Sequence, residues 1–265
     1  MLLLKSVRTT CLAPLLTQIS RRTISTTMAK QARHRFAPLG QKANAEAGQM
    51  QLQGIIFDMD GTLCMPQNHM FKLMRDSVSI PADQDILDYI HSLPPREQDE
   101  AFDKIKAIES QAMAEQVPQA GLVSLMEFLD REGVKKGICT RNFDAPVTHL
   151  LQNHIPSHIN PFSPIVTRDF RPPKPSPAAL WHIARAWGLD ADEKQRSAGE
   201  RKDLLPLVMV GDSIDDITAG HAAGALTVLL RSSGKEELEE RADVAIDRLD
   251  ELIGLLKQGL TSQRS

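Results

Sequence analysis

The chain has 265 residues, 42% hydrophobic and 25% charged, which are ordinary proportions for a globular protein with a sizeable core. Its formal net charge is −3, yet residues 1–45 hold eight Lys and Arg and no acid, leaving −11 on residues 46–265. A net-acidic body argues against a broad nucleic-acid surface, and no apolar run has the length of a membrane span. The basic start carries Lys5, Arg8, Arg21, Arg22, Lys30, Arg33, Arg35 and Lys42 among Ser, Thr and Leu. It reads as a disordered, amphipathic mitochondrial presequence over residues 1–45, directed to the matrix. Arg22-Thr23-Ile24 before Ser25 fits a matrix-protease site, and Met28 or Met50 as internal starts would leave a cytosolic form.

From Gln53 short apolar runs alternate with segments of helical period, the pattern of an α/β domain with a parallel sheet. Strands are predicted at 54–57, 134–139, 164–166, 207–210, 226–230 and 244–246. Helices are predicted at 121–132, 144–153, 176–187, 214–223 and 247–257. Gly133, Gly188 and Gly224 stand where helices should stop. Residues 66–118 break the rhythm: no strand, helical stretches near 69–78, 83–92 and 97–116, and punctuation by Pro81 and Pro94-Pro95. This is a small helical insertion after the first strand, too long for an ordinary βα connection. The expected division is a presequence at 1–45, a core domain at 50–65 and 119–258, and an insert at 66–118. Residues 190–203 are strongly polar and read as a solvated loop. Cys11, Cys64 and Cys139 make no metal-type spacing, so the last two are expected to be reduced and buried.

The chemistry gathers at strand ends. Asp58-Met59-Asp60-Gly61-Thr62-Leu63 follows the first strand directly. Two carboxylates two apart before a Gly suit a tight turn at which both face a cation, and a carboxylate is a competent covalent nucleophile. Gly211-Asp212-Ser213-Ile214-Asp215-Asp216 follows the fourth strand. Neighbouring parallel strands bring Asp212 towards Asp58, and such carboxylates repel one another unless a cation neutralises them. Oxygen ligands without His or Cys favour magnesium; helix capping by Asp212 or Ser213 is compatible with that. Thr140, followed by Arg141 and Asn142, closes the second strand where a helix start can hold a phosphoryl oxygen. Lys174 sits among Pro172, Pro173, Pro175 and Pro177, stiffly presented before a helix. Taken singly, Thr140 reads equally as a strand end and Lys174 as a surface charge.

In this order, over residues 53–231, these four blocks resemble the haloacid dehalogenase superfamily. The resemblance implies a modified Rossmann fold, a parallel sheet flanked by helices, with a small α-helical cap of the phosphoglycolate-phosphatase or β-phosphoglucomutase kind. It implies Asp58 as nucleophile, Asp60 as acid and base, and Thr140 and Lys174 as phosphate ligands, with Arg141 and Asn142 beside them. Mg²⁺ would be held by Asp58, the Asp60 backbone carbonyl and Asp212. Asp216 would position Lys174 or the metal's waters. The acid at position 60 points to phosphate chemistry rather than dehalogenation. A phosphatase acting on a small phosphorylated metabolite is expected, with a phosphomutase or a non-catalytic binding protein as alternatives. In the insert, His69, Lys72, Arg75 and Arg96 are candidates for substrate contact but read first as solvated helix charges. Substrate and oligomeric state are not legible.

Overall fold

Strands that are apolar on both faces demand cover on both faces, and the chain meets this with a parallel sheet sandwiched between helices. The computed structural model describes residues 36–40, 49–81, 83–189 and 204–262. All fall in one compact unit, Arg33–Ser265. The readings for residues 1–35, 41–48 and 190–203 lie outside the described residues.

The strands are β1 (Gly54–Phe57), β2 (Lys135–Cys139), β3 (Ile165–Val166), β4 (Leu207–Gly211), β5 (Leu226–Leu230) and β6 (Val244–Ile246). They form a six-stranded sheet in the order β3-β2-β1-β4-β5-β6, every pair parallel. The helices are α1 (Asn68–Val78), α2 (Ile86–Ser92), α3 (Pro95–Ala114), α4 (Leu122–Arg131) and α5 (Asp144–His154). They continue with α6 (Ala178–Ala186), α7 (Ile214–Ala223) and α8 (Glu251–Gln258). Alternate strand residues serve opposite layers. Ile55, Phe57, Ile138, Val208 and Val210 pack with Leu125, Leu129, Leu150 and Leu252, while Ile56, Cys139, Leu207 and Met209 pack with Leu180, Ile183 and Ala219. The chain builds outward from β1 through β2 to β3, then returns to place β4 on the other flank of β1. That reversal opens a crevice at the carboxyl ends of β1 and β4, the usual ligand position in such sheets.

The first three helices lie between β1 and α4 and carry an apolar cluster of their own, including Met70, Met74, Ile90 and Ile105. The chain enters and leaves this insert side by side. Met65 N–H donates to the Val117 carbonyl at 2.8 Å, and Cys64 bridges Pro118 antiparallel.

Several boundaries differ from the predicted ones for identifiable reasons. Asp85 Oδ1 accepts the Asp88 N–H, so α2 begins at Ile86 rather than at 83. The last helix starts at Glu251 rather than 247, because the Leu249 N–H is committed to the Ala120 carbonyl. A 3₁₀ turn at Glu236–Arg241 was not foreseen. The expectation of disorder through residue 45 does not hold at residues 36–40. Phe36 is buried in the core, its N–H donates to the Leu260 carbonyl, and Ala37 N–H donates to that of Met50. The folded body therefore includes residues 36–40, and at the other end it runs past 258 to Leu260 and Ser262.

Candidate active site

The ladder carries Asp58 to its place: its N–H still bonds the Val210 carbonyl at 2.9 Å, so its side chain emerges as the strand ends. The backbone then turns back at once, with the N–H groups of Thr62, Leu63 and Cys64 all on the Met59 carbonyl. The turn folds Asp60 towards the insert, where its Oδ1 accepts the Gln67 N–H at 3.1 Å just before α1. Lys174, delivered by the proline-rich segment, is buried between two carboxylates. Its Nζ lies 2.6 Å from Asp58 Oδ1 and 2.5 Å from Asp216 Oδ1. Asp216 Oδ2 is taken by the Ser213 N–H and hydroxyl, in a capping box that starts α7.

Asp58, Asp212 and Asp216 are all buried and offer carboxylate oxygens within 4.8 Å of one another. The donor set fits a hard dication and lacks any soft ligand. Asp216 belongs to the cluster, but both its oxygens already serve Lys174 and Ser213; it holds the lysine, one of the two roles expected of it. Asp212 keeps Oδ1 without a hydrogen bond among the described residues, and Asp58 keeps Oδ2. The Asp60 side chain stands outside the cluster; its expected metal contact was through the backbone carbonyl.

The electrostatics follow from burial. Desolvation pushes the Asp58 carboxyl up to about 7 against the pull of Lys174, with Asp216 and Asp212 adding to the rise. Burial raises Asp60 to about 6, with the Gln67 N–H opposing, and it also raises Asp212. Lys174 is held firmly as the ammonium: Asp216 and Asp58 outweigh its desolvation. Burial lifts the Cys64 and Cys139 thiols to about 12, so both are free, buried and inert.

A cavity of about 650 Å³ opens over these groups and reaches the insert. Thr140, Arg141 and Asn142 line it. Thr140 Oγ1 accepts the Asn142 N–H at 3.1 Å, an arrangement that leaves the hydroxyl proton free to donate. Arg141 is mostly exposed and its Nη1 lies 2.8 Å from Asp215 Oδ2, which accounts for the extra acid beside Asp216. Of the insert candidates only Arg75 lines the cavity, its Nη1 donating to the Pro81 and Gln84 carbonyls. His69 stands 3.8 Å from Glu115, Arg96 pairs with Glu100, and Lys72 is exposed.

Lys235 and Arg168 are among the lining cations that escaped the sequence reading. Lys235 Nζ lies 2.5 Å from Asp212 Oδ2 and 3.0 Å from the Asp212 carbonyl. Arg168 lies after β3. A usable signal existed for both, because each follows closely on the carboxyl end of a strand, the rule that had located Asp58 and Asp212.

Comparison with known proteins places this arrangement. Residues 72–224 match the haloacid dehalogenase-like hydrolase family. An uncharacterized hydrolase of Saccharomyces cerevisiae is 41% identical over 216 residues, spanning 79% of this chain and 93% of the yeast protein. The chain belongs to the haloacid dehalogenase-like hydrolase family. Its fold recurs in the solved structure of a predicted phosphoglycolate phosphatase from Haemophilus somnus. That structure is 19% identical with a TM-score of 0.58, covering 78% of this chain and 98% of that one. CbbY from Rhodobacter sphaeroides, solved in complex with phosphate, is also 19% identical with a TM-score of 0.55, covering 76% and 96%. This hydrolase keeps a carboxylate at each predicted strand end of β1 and β4, and its insert occupies the interval between β1 and α4.

Proposed function

We propose that this hydrolase is a Mg²⁺-dependent phosphatase that cleaves a small phosphate monoester through an aspartyl phosphate on Asp58. One observation carries the reading: the Asp58 carboxylate stands 2.6 Å from the buried Lys174 ammonium and beside Asp212, at the mouth of a cavity that also holds Asp60 and Thr140. A dication bound by Asp58 and Asp212 supplies charge neutralisation for the carboxylates and the phosphoryl oxygens.

The protein's own groups account for each proton and bond. Lys174 and the Thr140 hydroxyl hold phosphoryl oxygens, so the phosphorus faces Asp58. An Asp58 oxygen attacks phosphorus, the ester P–O bond breaks, and Asp60 gives its proton to the leaving oxygen. A carboxyl raised to about 6 keeps a usable protonated fraction near neutrality. Asp60, now a carboxylate, takes a proton from water. The water oxygen attacks phosphorus, the Asp58–phosphorus linkage breaks, and inorganic phosphate leaves. The helical insert acts as a cap that excludes bulk water and meets the leaving group.

The test is a screen of small phosphate esters with Mg²⁺, following both inorganic phosphate and positional isomers. Asp58→Asn should keep the fold and lose turnover by at least about 10³-fold, the scale on which a removed nucleophile is felt. Chelation should silence the wild type. Retained turnover in either case would end the covalent, metal-dependent reading, and isomers forming faster than phosphate would replace hydrolysis by mutase chemistry.

We further propose that the basic residues preceding Phe36 direct the chain to the mitochondrial matrix. The support is an acid-free stretch containing Arg8, Arg21, Arg22, Arg33 and Arg35. Residues 1–35 fused to a reporter should enter mitochondria, and changing Arg8, Arg21 and Arg22 to Glu should stop entry. A cytosolic reporter, or import that survives those changes, refutes the assignment.

A further inference from the structure

Arg168 belongs to none of the four motif blocks, yet contacts from two distant parts of the chain converge on it. Its backbone N–H donates to the Asn142 carbonyl at 3.0 Å, and its Nε donates to the Arg141 carbonyl at 3.1 Å. Its guanidinium lies 3.4 Å from the centroid of the Phe143 ring. Its Nη1 stands 3.9 Å from Glu109 Oε1 on α3 of the insert.

The first two bonds act on the phosphate-binding turn. A peptide unit is planar, so pinning a carbonyl sets the direction of the N–H that follows it. The Arg141 carbonyl sets the Asn142 N–H, which donates to Thr140 Oγ1 and so orients that hydroxyl. The Asn142 carbonyl sets the Phe143 N–H at the start of α5, where unpaired N–H groups favour anions. The stacked Phe143 ring holds the guanidinium plane and also packs against the insert's apolar cluster.

The fourth contact belongs to the insert. Glu109 is 7% exposed, and a carboxylate so enclosed requires a partner. Among the described residues Arg168 is the one cation at ion-pair distance from it. The bidentate reach of Arg, with one nitrogen on a carbonyl and another towards a carboxylate, is what Lys does not reproduce.

We infer that Arg168 is a positioning residue that ties the phosphate-binding turn Thr140–Phe143 to the helical insert through Glu109, so that the seating of the insert sets how tightly the turn holds a phosphoryl group. The inference rests on the reading of that turn as the phosphate seat. It makes affinity for bare phosphate depend on Glu109, which does not line the cavity.

The experiment uses the full chain with Mg²⁺ and inorganic phosphate, which has no leaving group for a cavity residue to grip. Phosphate affinity is measured by calorimetry, and the Asn142 and Phe143 amide signals by NMR, for wild type, Arg168→Lys, Glu109→Gln and the double variant. Arg168→Lys should weaken phosphate about tenfold, the scale of one charge-assisted hydrogen bond. Glu109→Gln should weaken it in the same direction and shift both amides. The double variant should be no worse than Arg168→Lys, because Glu109 acts through Arg168. Unmoved amides in Glu109→Gln, or losses that simply add, overturn the coupling. If the wild type binds no phosphate, the phosphatase reading fails, while the amide shifts still decide whether the turn and insert are coupled. Glu109→Gln carries the test by itself if Arg168→Lys does not fold.

Discussion

Gly61 shows how little room the catalytic turn leaves. Its φ is +82°, a region where side chains are strained, and an added Cβ would lie 2.5 Å from the Asp212 carboxyl. The same absence of a side chain lets the β1 turn and the β4 terminus approach closely, with carboxylate oxygens of Asp58 and Asp212 within 4.8 Å of one another. Gly61→Ala must therefore displace Asp212 or unwind the turn. Turnover should fall by about a hundredfold, the scale of an ångström misplacement at a reacting centre. Mg²⁺ should protect the variant less against thermal unfolding than it protects the wild type. Unaltered Mg²⁺ protection would show that Asp212 does not need this approach. The carboxylates themselves were legible, because Asp58 and Asp212 each follow an apolar strand directly in sequence and Asp60 lies two residues beyond Asp58. Arg168 and Lys235 were legible only as positions after a strand end; what they and Glu109 touch lies 27, 23 and 59 residues away along the chain.

At the scale of elements, the alternation of apolar strands and amphipathic helices located every strand of the sheet to within a residue. Buried parallel strands are short and continuous in their apolar character, so their limits coincide with the hydrophobic runs. Helix ends are less legible because capping side chains and tertiary partners decide them. Gly224 at φ +82° stops α7 where predicted, whereas α8 loses its expected first turn to the bond between Leu249 and Ala120. Residues 36–40 were missed for a different reason. Composition assigned them to the basic leader, and a single buried Phe36 held by backbone bonds to Leu260 leaves no periodic signature. The insert was legible as helices, but its tether to the core was not: Glu109 falls in line with Ala101, Ile105 and Ala112 on the buried face of α3, yet its partner lies on another element.

The whole molecule stores unfavourable charge for the sake of its site, and this fixes how stability should vary with pH. Burial raises Asp58 and Glu109 to about 7 and Asp60 to about 6, and it raises Asp212 as well. Ordinary values are 3.8 for Asp and 4.5 for Glu. Between about pH 4 and 7 the metal-free folded state therefore binds more protons than the unfolded chain. Stability must then fall as pH rises through this window, since its slope follows protons bound unfolded minus folded. Asp243 works in the opposite sense: hydrogen bonds from His221, Ser262 and Thr227 overcome its desolvation and hold it below its ordinary value. Its contribution is present at neutral pH and is lost only as the pH drops below about 4, outside the window. The chelated protein should accordingly melt at a higher temperature at pH 5.5 than at pH 7.5. Mg²⁺ should raise the melting temperature at pH 7.5 far more than at pH 5.5, because it binds the ionised carboxylates. At a hundredfold excess over its dissociation constant that stabilisation is about 2.7 kcal/mol. Glu109→Gln supplies an internal control: it removes one raised carboxyl remote from the cation, so it should flatten the pH slope while leaving the Mg²⁺ effect in place. A melting temperature that climbs from pH 5.5 to 7.5 in chelator would mean that these carboxylates are not strained by burial, and the electrostatic account of the site would have to be abandoned.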